Sequence, residues 1–268
     1  MFNKITRGQK KYRVLSQIYT KLRVENKSKQ PNLFPDDLFL VSYPKSGNTW
    51  VRFFFANLLK QHSSEIINFH NVHDHCPEWE SHSEYIRKLS SPRILKSHQK
   101  FHPSLPRVIY IVRDARDVYV SYYHYLNLSR ECSFKEYLEN YDFPYGRWSE
   151  HVSSWIVGKG KDQNNFKVVR YEDLLAEPLS VFSDVVQFAN LDVQPSRIQE
   201  AVQSSSFESM QSLEKRYGRK YSNAGAEVTF VRKGASGQWQ QYFREAEWEI
   251  FKRKEGLQWL EKLGYHVD

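Results

Sequence analysis

The chain has 268 residues, of which 40% are hydrophobic and 26% charged. This balance is typical of a globular protein with one sizeable core and excludes a disordered chain. The formal net charge of +8 favours an anionic partner, but no run of Lys and Arg is interleaved with aromatic residues, so we do not expect nucleic acid.

Targeting and redox signals point to the cytoplasm. The only two cysteines, Cys76 and Cys132, lie far apart in the sequence, which argues against a disulfide framework and for a reducing compartment. The first 35 residues contain no apolar run long enough for a signal peptide, and no segment approaches the length that spans a membrane.

The first 30 residues form a basic, polar segment ahead of a single domain that we expect over residues 31–268. Leu15, Ile18, Tyr19 and Leu22 recur at helical spacing, which predicts a short surface helix. A helix lying on a membrane surface is the alternative.

From residue 38 onward, apolar strand-like runs alternate with longer segments of helical period. Strands are predicted at 38–43, 93–97, 107–112 and 166–171, and helices at 47–61, 115–128, 133–141, 148–158, 178–189, 195–203 and 246–263. This alternation predicts an α/β fold with a central, mainly parallel β-sheet flanked by helices. Ligands of such sheets bind at the carboxyl ends of the strands. Residues 213–237 are polar, show no clear period, and are predicted to be a long loop that could cover the site.

The stretch 43-YPKSGNTW-50 joins the first predicted strand to the first predicted helix. The first N–H groups of a helix have no internal partner and attract anions. Gly47 allows the backbone to approach a ligand closely, and Lys45 adds a positive charge. Ser46, Asn48 and Thr49 add side-chain donors, so the stretch predicts a phosphate-type anion site.

The loop departs from the nucleotide triphosphate pattern G-x-x-x-x-G-K-[ST]. Ser42 and Tyr43 stand where its first glycine would be, and Asn48 stands where its lysine would be. This makes a magnesium-bound triphosphate less favoured. A nucleotide or small-molecule kinase remains the alternative function.

Four segments together resemble the PAPS-dependent sulfotransferases of the cytosolic type, and we expect a bacterial member of that family. The loop 43–50 is similar to the family's 5′-phosphosulfate loop, and 112-VRDARDVYVSYYHY-125 is similar to its 3′-phosphate segment, with Arg113 and Ser121. The segment 232-RKGASGQW-239 resembles its closing loop, and 95-LKSHQKF-101 resembles the segment that carries a catalytic histidine. Two shorter matches, 171-YED-173 and 205-SSFESM-210, follow in the family's order.

The resemblance implies a role for each matched residue. His98 is the expected base, and Lys45 and Lys96 the expected catalytic cations. The residues expected to hold PAPS, or its product PAP, are Lys45, Ser46, Gly47, Asn48, Thr49, Trp50, Arg113, Ser121, Tyr171, Ser205, Phe207, Arg232, Lys233 and Gly234. Among these, Trp50 and Phe207 would enclose the adenine, and Tyr171 and Ser205 would contact its edge. No metal is implied.

This sequence also departs from the family pattern. Gln238 and Gln240 replace an Asp and a Lys beside the phosphate-binding segment. Arg244 and Glu245 replace the Thr-Val of the family's dimerisation motif, so we do not expect that mode of dimerisation.

The remaining segments concern the acceptor. The segment 70-HNVHDHC-76 has no common zinc spacing, and we expect an acceptor-side loop there rather than a metal site. The polar character of 213–230 favours a small polar acceptor such as a glycan or a natural product. Asp74, Glu78 and Glu84 leave room for a cationic one. A protein that binds the nucleotide without catalysing transfer is a further alternative.

Overall fold

Four short β-strands run side by side through the centre of the computed structural model, which describes residues 31–126, 128, 131–159, 162, 164–219 and 231–267. The strands are β1 (Leu38–Ser42), β2 (Ile94–Ser97), β3 (Arg107–Val112) and β4 (Phe166–Arg170). Their order in the sheet is β2-β1-β3-β4, and all three pairings are parallel. The predicted parallel α/β sheet is therefore confirmed, with strand ends within one residue of the prediction. The helix expected within residues 1–30 lies outside the described residues.

The helices cover both faces of this sheet. In chain order they are α1 (Asn48–Leu59), α2 (Val72–His75), α3 (Ser83–Ile86), α4 (Ala115–Tyr125), α5 (Phe134–Asn140), α6 (Trp148–Lys159), α7 (Tyr171–Ala176), α8 (Pro178–Phe188), α9 (Pro195–Ser204), α10 (Phe207–Tyr217), α11 (Glu245–Glu255) and α12 (Gln258–Lys262). Within the described ranges, none of these helices is both long and apolar enough to cross a membrane.

Alternation along the strands produces two cores, one on each face of the sheet. Phe39, Val41 and Tyr110 face the core that α4, α5, α6 and α11 cover. Leu40 and Ile109 face the opposite core, which α1, α8 and α9 cover. Because β1, β2 and β3 are buried on both sides, their carboxyl ends are fixed firmly, and this edge of the sheet can carry a precise site.

Two predictions about the C-terminal half were wrong in part. The helix expected over 246–263 is interrupted at Gly256, which has φ 66° and separates α11 from α12. Part of the loop expected over 213–237 is the end of α10, whose first turn is capped by the Ser206 hydroxyl. Its period was hidden because only Phe207, Met210 and Leu213 contact the core. Residues 220–230 of that predicted loop lie outside the described part of the chain.

Candidate active site

Residues expected to act together follow the carboxyl ends of all four strands. The loop 43–47 follows β1, His98 follows β2, Arg113 follows β3, and Tyr171 follows β4. Parallel strands end at the same edge of a sheet, so these segments converge although the sequence separates them by more than a hundred residues.

The loop after β1 turns sharply because two of its residues adopt left-handed backbone conformations. Lys45 has φ 71° and Gly47 has φ 98°. Any side chain at position 47 would also meet the Tyr171 ring, since a Cβ there would lie 2.6 Å from Tyr171 Cδ2. Asn48 fixes the start of α1, because its Nδ2 donates to the Leu40 carbonyl at 2.9 Å. Thr49 lies half-buried in the first turn of α1.

Several buried polar atoms in this region have no hydrogen-bond partner within the described ranges. They are Ser46 Oγ, Asn48 Oδ1, Trp50 Nε1 and Arg113 Nε. Buried polar groups are seldom left unpaired in native proteins, because each costs about 1–3 kcal/mol. The three donors among them, Ser46 Oγ, Trp50 Nε1 and Arg113 Nε, are groups that an anionic ligand would satisfy, so the residues present fit a phosphate-bearing group.

Lys45 occupies an aromatic and cationic environment. Its Nζ lies 4.1 Å from the centre of the Tyr125 ring. Burial lowers the pKa of Lys45 well below its usual value, and the charges of Arg219 and Arg113 lower it further. An anion bound at this loop would favour the charged form of the lysine again.

Arg113 links the loop 43–47 to the closing segment 232–239. Its Nη1 donates to the Lys45 carbonyl at 3.2 Å, and its Nη2 donates to the Ala235 carbonyl at 2.9 Å. Its guanidinium carbon lies 4.4 Å from the centre of the Tyr171 ring. Ser121, half-buried, lies further along α4. The planar cation is thus held in place before any ligand binds.

Asp117 anchors the closing segment, a role that the motifs did not reveal. Its carboxylate accepts the backbone N–H of Gly237 at 2.7 Å and that of Trp239 at 2.9 Å. Arg116 and Asp117 lie side by side in the first turn of α4. Both are buried, and Arg116 pairs with Asp114 at 2.6 Å.

The closing segment places two cations and a glycine beside the first phosphate loop. Arg232 donates to Gln238 Oε1 at 2.6 Å, so the substituted Gln238 orients a predicted site residue, while Lys233 is exposed. Gly234 has φ 56°, and a Cβ there would lie 2.2 Å from Phe207 Cδ2. This contact joins the phosphate-binding segment to the aromatic ring expected to stack on the adenine.

The other residues expected around the adenine lie near the same core. Trp50 and Phe207 both pack, half-buried, against the core on the α1 side of the sheet. The Trp50 and Tyr171 rings meet edge to face with their centres 5.9 Å apart. Ser205 is fully buried, and its hydroxyl donates to the Ala201 carbonyl at 2.8 Å, so this hydroxyl already serves the end of α9.

His98 is held in one tautomer by the end of β1. Its Nδ1 lies 2.7 Å from the Ser42 carbonyl oxygen. A carbonyl only accepts hydrogen bonds, so Nδ1 carries the proton and the lone pair of the neutral ring lies on Nε2. Burial lowers the pKa of His98 well below its usual value, and Lys96 lowers it further. A neutral imidazole with its basic nitrogen fixed is the form that a general base requires.

The third predicted catalytic residue, Lys96, is paired with a carboxylate. Its Nζ forms an ion pair with Glu78 Oε1. The expectation that Glu78 could meet a cationic acceptor is therefore corrected, because its charge is already balanced.

The side chains of segment 70–76 have separate partners. His70 Nε2 contacts the Tyr217 carbonyl at 2.9 Å, and His75 Nε2 contacts Glu65 at 2.8 Å. His73 Nδ1 accepts from Arg52 at 3.0 Å. Among the described residues there is no group of three or more His, Cys, Asp or Glu that could hold a metal ion.

A cavity of about 420 Å³ lies elsewhere, between α4, α5 and α11, where Tyr119, Phe143, Phe251 and Lys254 are among its lining residues. None of the predicted site residues lines it. The cavity is therefore separate from the edge of the sheet where the predicted site residues converge.

Comparison with known proteins identifies relatives over most of this chain. The family model described as a sulfotransferase domain matches residues 35–263. The 3-beta-hydroxysteroid sulfotransferase of Cavia porcellus is 30% identical over 236 residues, which are 81% of this chain and 82% of that protein. Sulfotransferase 1C2 of Homo sapiens is 29% identical over 248 residues, covering 82% of this chain and 83% of that protein.

Solved structures show the same architecture. Mouse sulfotransferase SULT7A1, complexed with PAP, has a TM-score of 0.65 at 25% identity and covers 87% of each chain. A retinol dehydratase in a complex with retinol and PAP has a TM-score of 0.66 at 19% identity, over 93% of this chain and 87% of that chain, and shares the fold. Because the matched family model spans most of the sequence, this chain belongs to the sulfotransferase domain family.

Proposed function

We propose that the protein transfers the sulfonate group of PAPS to a hydroxyl or amine of a small acceptor. The observation that carries this proposal is the position of His98, a neutral imidazole whose Nδ1–H is held by the Ser42 carbonyl. The sheet brings His98 to the same edge as the loop 43–47. PAP in the SULT7A1 complex supports the choice of cofactor.

In this proposal PAPS supplies a sulfonate on a phosphate leaving group. His98 Nε2 takes the proton of the acceptor as the acceptor oxygen or nitrogen forms its bond to sulfur. Lys45 and the N–H groups at the start of α1 stabilise the negative charge that develops on the phosphate oxygen as the bond from sulfur to that oxygen breaks. Arg113, Arg232 and Lys233 hold the 3′-phosphate and fix the direction of attack.

The acceptor that we propose is small and polar. The relatives include a protein named for a hydroxysteroid, but the segment beside His98 and Lys96 carries polar groups on a short stretch of chain. They are the imidazoles of His73 and His82. Hydrogen-bonding groups of this kind discriminate strongly between acceptors that can pair with them and apolar ones that cannot.

Transfer of labelled sulfonate from PAPS to a panel of acceptors tests the function. The panel contains an amino sugar, a polyol glycoside, a simple phenol and a hydroxysteroid, and a parallel reaction contains ATP and magnesium with the same acceptors. Sulfonate transfer without metal supports the proposal, and preference for the first two acceptors supports the polar class. Phosphate transfer from ATP with none from PAPS would establish the kinase alternative, and PAP binding without transfer would indicate a non-catalytic nucleotide binder.

A further inference from the structure

Backbone hydrogen bonds hold the ion pair of Glu78 and Lys96 at the end of β2. The Lys96 N–H donates to the Pro77 carbonyl at 2.8 Å, and the Trp79 N–H donates to the Lys96 carbonyl at 2.9 Å. Residue 78 therefore pairs with Lys96 in the manner of a short parallel strand. The main chain itself places the Glu78 carboxylate beside the Lys96 ammonium.

Glu78 is fixed on its own segment as well. Its Oε2 accepts the Ser81 hydroxyl at 3.0 Å, and its backbone N–H donates to His82 Nδ1 at 3.0 Å. The side chains of Glu78 and Lys96 are only 20% and 11% exposed. Both carboxylate oxygens thus have partners, and the carboxylate has little freedom to move.

The ammonium of a lysine needs a fixed partner if it is to stay at one position in a site. It sits on a flexible four-carbon stem and carries three equivalent N–H donors. Among the described residues, Glu78 is the one hydrogen-bond partner of the Lys96 ammonium, which leaves two of its donors. His98 is two residues further along the same strand end, so those donors lie at the edge of the sheet where the base is.

We infer that Glu78 is a positioning residue, whose carboxylate holds the Lys96 ammonium beside His98 so that its remaining donors meet the transferring sulfonate. This inference rests on the proposed function, because it assigns a task to Lys96 in sulfonate transfer. Glu78 itself does not touch the reacting atoms.

The charges around Glu78 define a pH signature for this role. Those that face Glu78 or His98 are Lys96 from β2 and His98 directly after it, Arg52 from α1, His73 from α2, Glu80 and His82 from the same segment as Glu78, and His151 from α6. Glu78 raises the pKa of His98, whereas Lys96 lowers it. Loss of the Glu78 charge alone would leave Lys96 unbalanced and move the pKa of His98 further down.

Glu78→Gln tests the inference, because it preserves the shape and the hydrogen-bonding oxygen but removes the charge. We expect kcat to fall about tenfold, because a misplaced catalytic group costs rate and not ground-state binding. PAP affinity should stay within about twofold, since PAP lacks the sulfonate. The acid limb of the pH–rate profile should move to lower pH. Glu78→Asp, which retains the charge, should leave that limb in place.

Glu80→Gln is the matched control. Glu80 lies two residues away and accepts the Ser97 hydroxyl instead of pairing with Lys96. Burial raises the pKa of Glu80 to about 7, so below that pH glutamine resembles its protonated form, and this variant should retain the wild-type kcat. In the double variant Glu78→Gln/Lys96→Ala, kcat should match that of Lys96→Ala alone, because the two residues act as one unit.

Three results would overturn the inference. They are an unchanged kcat in Glu78→Gln, losses that multiply in the double variant, and a loss of PAP affinity that accompanies the loss of rate, which would make the ion pair a part of the fold only. A wild-type protein that binds no PAP and transfers no sulfonate would overturn the proposed function first. Transfer by the wild type with an unaffected Glu78→Gln variant would overturn this inference alone.

Discussion

The proposed phosphate side and the proposed acceptor side of this site are built by different means. The phosphate side depends on backbone shape, with left-handed conformations at Lys45, Gly47 and Gly234. The acceptor side depends on side chains, with the Glu78 carboxylate and two imidazoles on a segment that pairs with the end of β2. Backbone turns recognise a group that every substrate molecule shares, whereas side chains can be exchanged without disturbing the sheet. We therefore expect substitutions on the two sides to separate cofactor binding from chemistry.

The largest effect is expected at the junction of the two sides. His98→Gln should reduce sulfonate transfer about 10²–10⁴-fold, because no base then takes the acceptor's proton. PAP affinity, measured by calorimetry, should remain that of the wild type. Retained transfer in this variant would remove His98 from the mechanism.

Arg113→Ala should have its main effect on the cofactor. PAP affinity should fall about 10–100-fold, because a charged hydrogen bond contributes about 1.5–3 kcal/mol. Arg113→Lys should recover little, since lysine lacks the planar fork. Arg253→Ala is the control, because that exposed cation pairs with Glu139 at 2.6 Å and belongs to α11. Equal losses in Arg113→Ala and Arg253→Ala would show that only the net charge matters.

Substitutions at two glycines distinguish the effect of backbone strain from the effect of displacing an aromatic ring. Gly234→Ala and Gly218→Ala both place a side chain at positive φ, at 56° and 70°. Only the first meets a ring, that of Phe207. Loss of stacking by a displaced Phe207 should weaken PAP binding about tenfold in Gly234→Ala. Gly218→Ala should melt at a lower temperature but bind PAP normally. Normal PAP binding in Gly234→Ala would contradict a role for Phe207 against the adenine.

The smallest effect is a pH shift on the acceptor side. His98 has a lowered pKa, so its neutral form persists below the usual value of about 6.5, and the acid limb of kcat/KM should lie below that pH. Burial also lowers the pKa of His73 to about 3 and that of His82 to about 4. Between these values and about 6.5 the unfolded chain binds more protons, so the free energy of unfolding should decrease as the pH falls through this range. An acid limb above pH 7, or a melting temperature that rises on acidification, would contradict this account.

Much of the fold and of the phosphate side could be predicted from sequence, because both depend on local rules. Apolar runs gave the strands within one residue. The stretch 43–50 was predicted to bind an anion from a glycine and a lysine at a strand end, and the fourteen expected cofactor residues include Gly47 and Gly234, whose positive φ demands glycine.

The remainder depends on contacts between distant segments. Nothing near Asp117 indicates that it accepts two backbone N–H groups some 120 residues further on, and the same holds for the Ser42 carbonyl that fixes His98. The Glu78 carboxylate was expected to be available for a cationic acceptor, because its partner, Lys96, becomes its neighbour only through a β-bridge. The helix α10 was missed because its exposed face is polar and only one narrow side meets the core.

The central claim is that the edge of this sheet binds an adenosine 3′,5′-bisphosphate and not a magnesium triphosphate. Thermal melting of the wild-type protein, titrated with PAP and separately with ATP and magnesium, tests it most directly, because a ligand that binds the native state raises Tm by mass action. The account predicts a saturable rise in Tm with PAP and none with ATP and magnesium. A rise with ATP and magnesium alone would contradict it and would make the loop at 43–50 a kinase site.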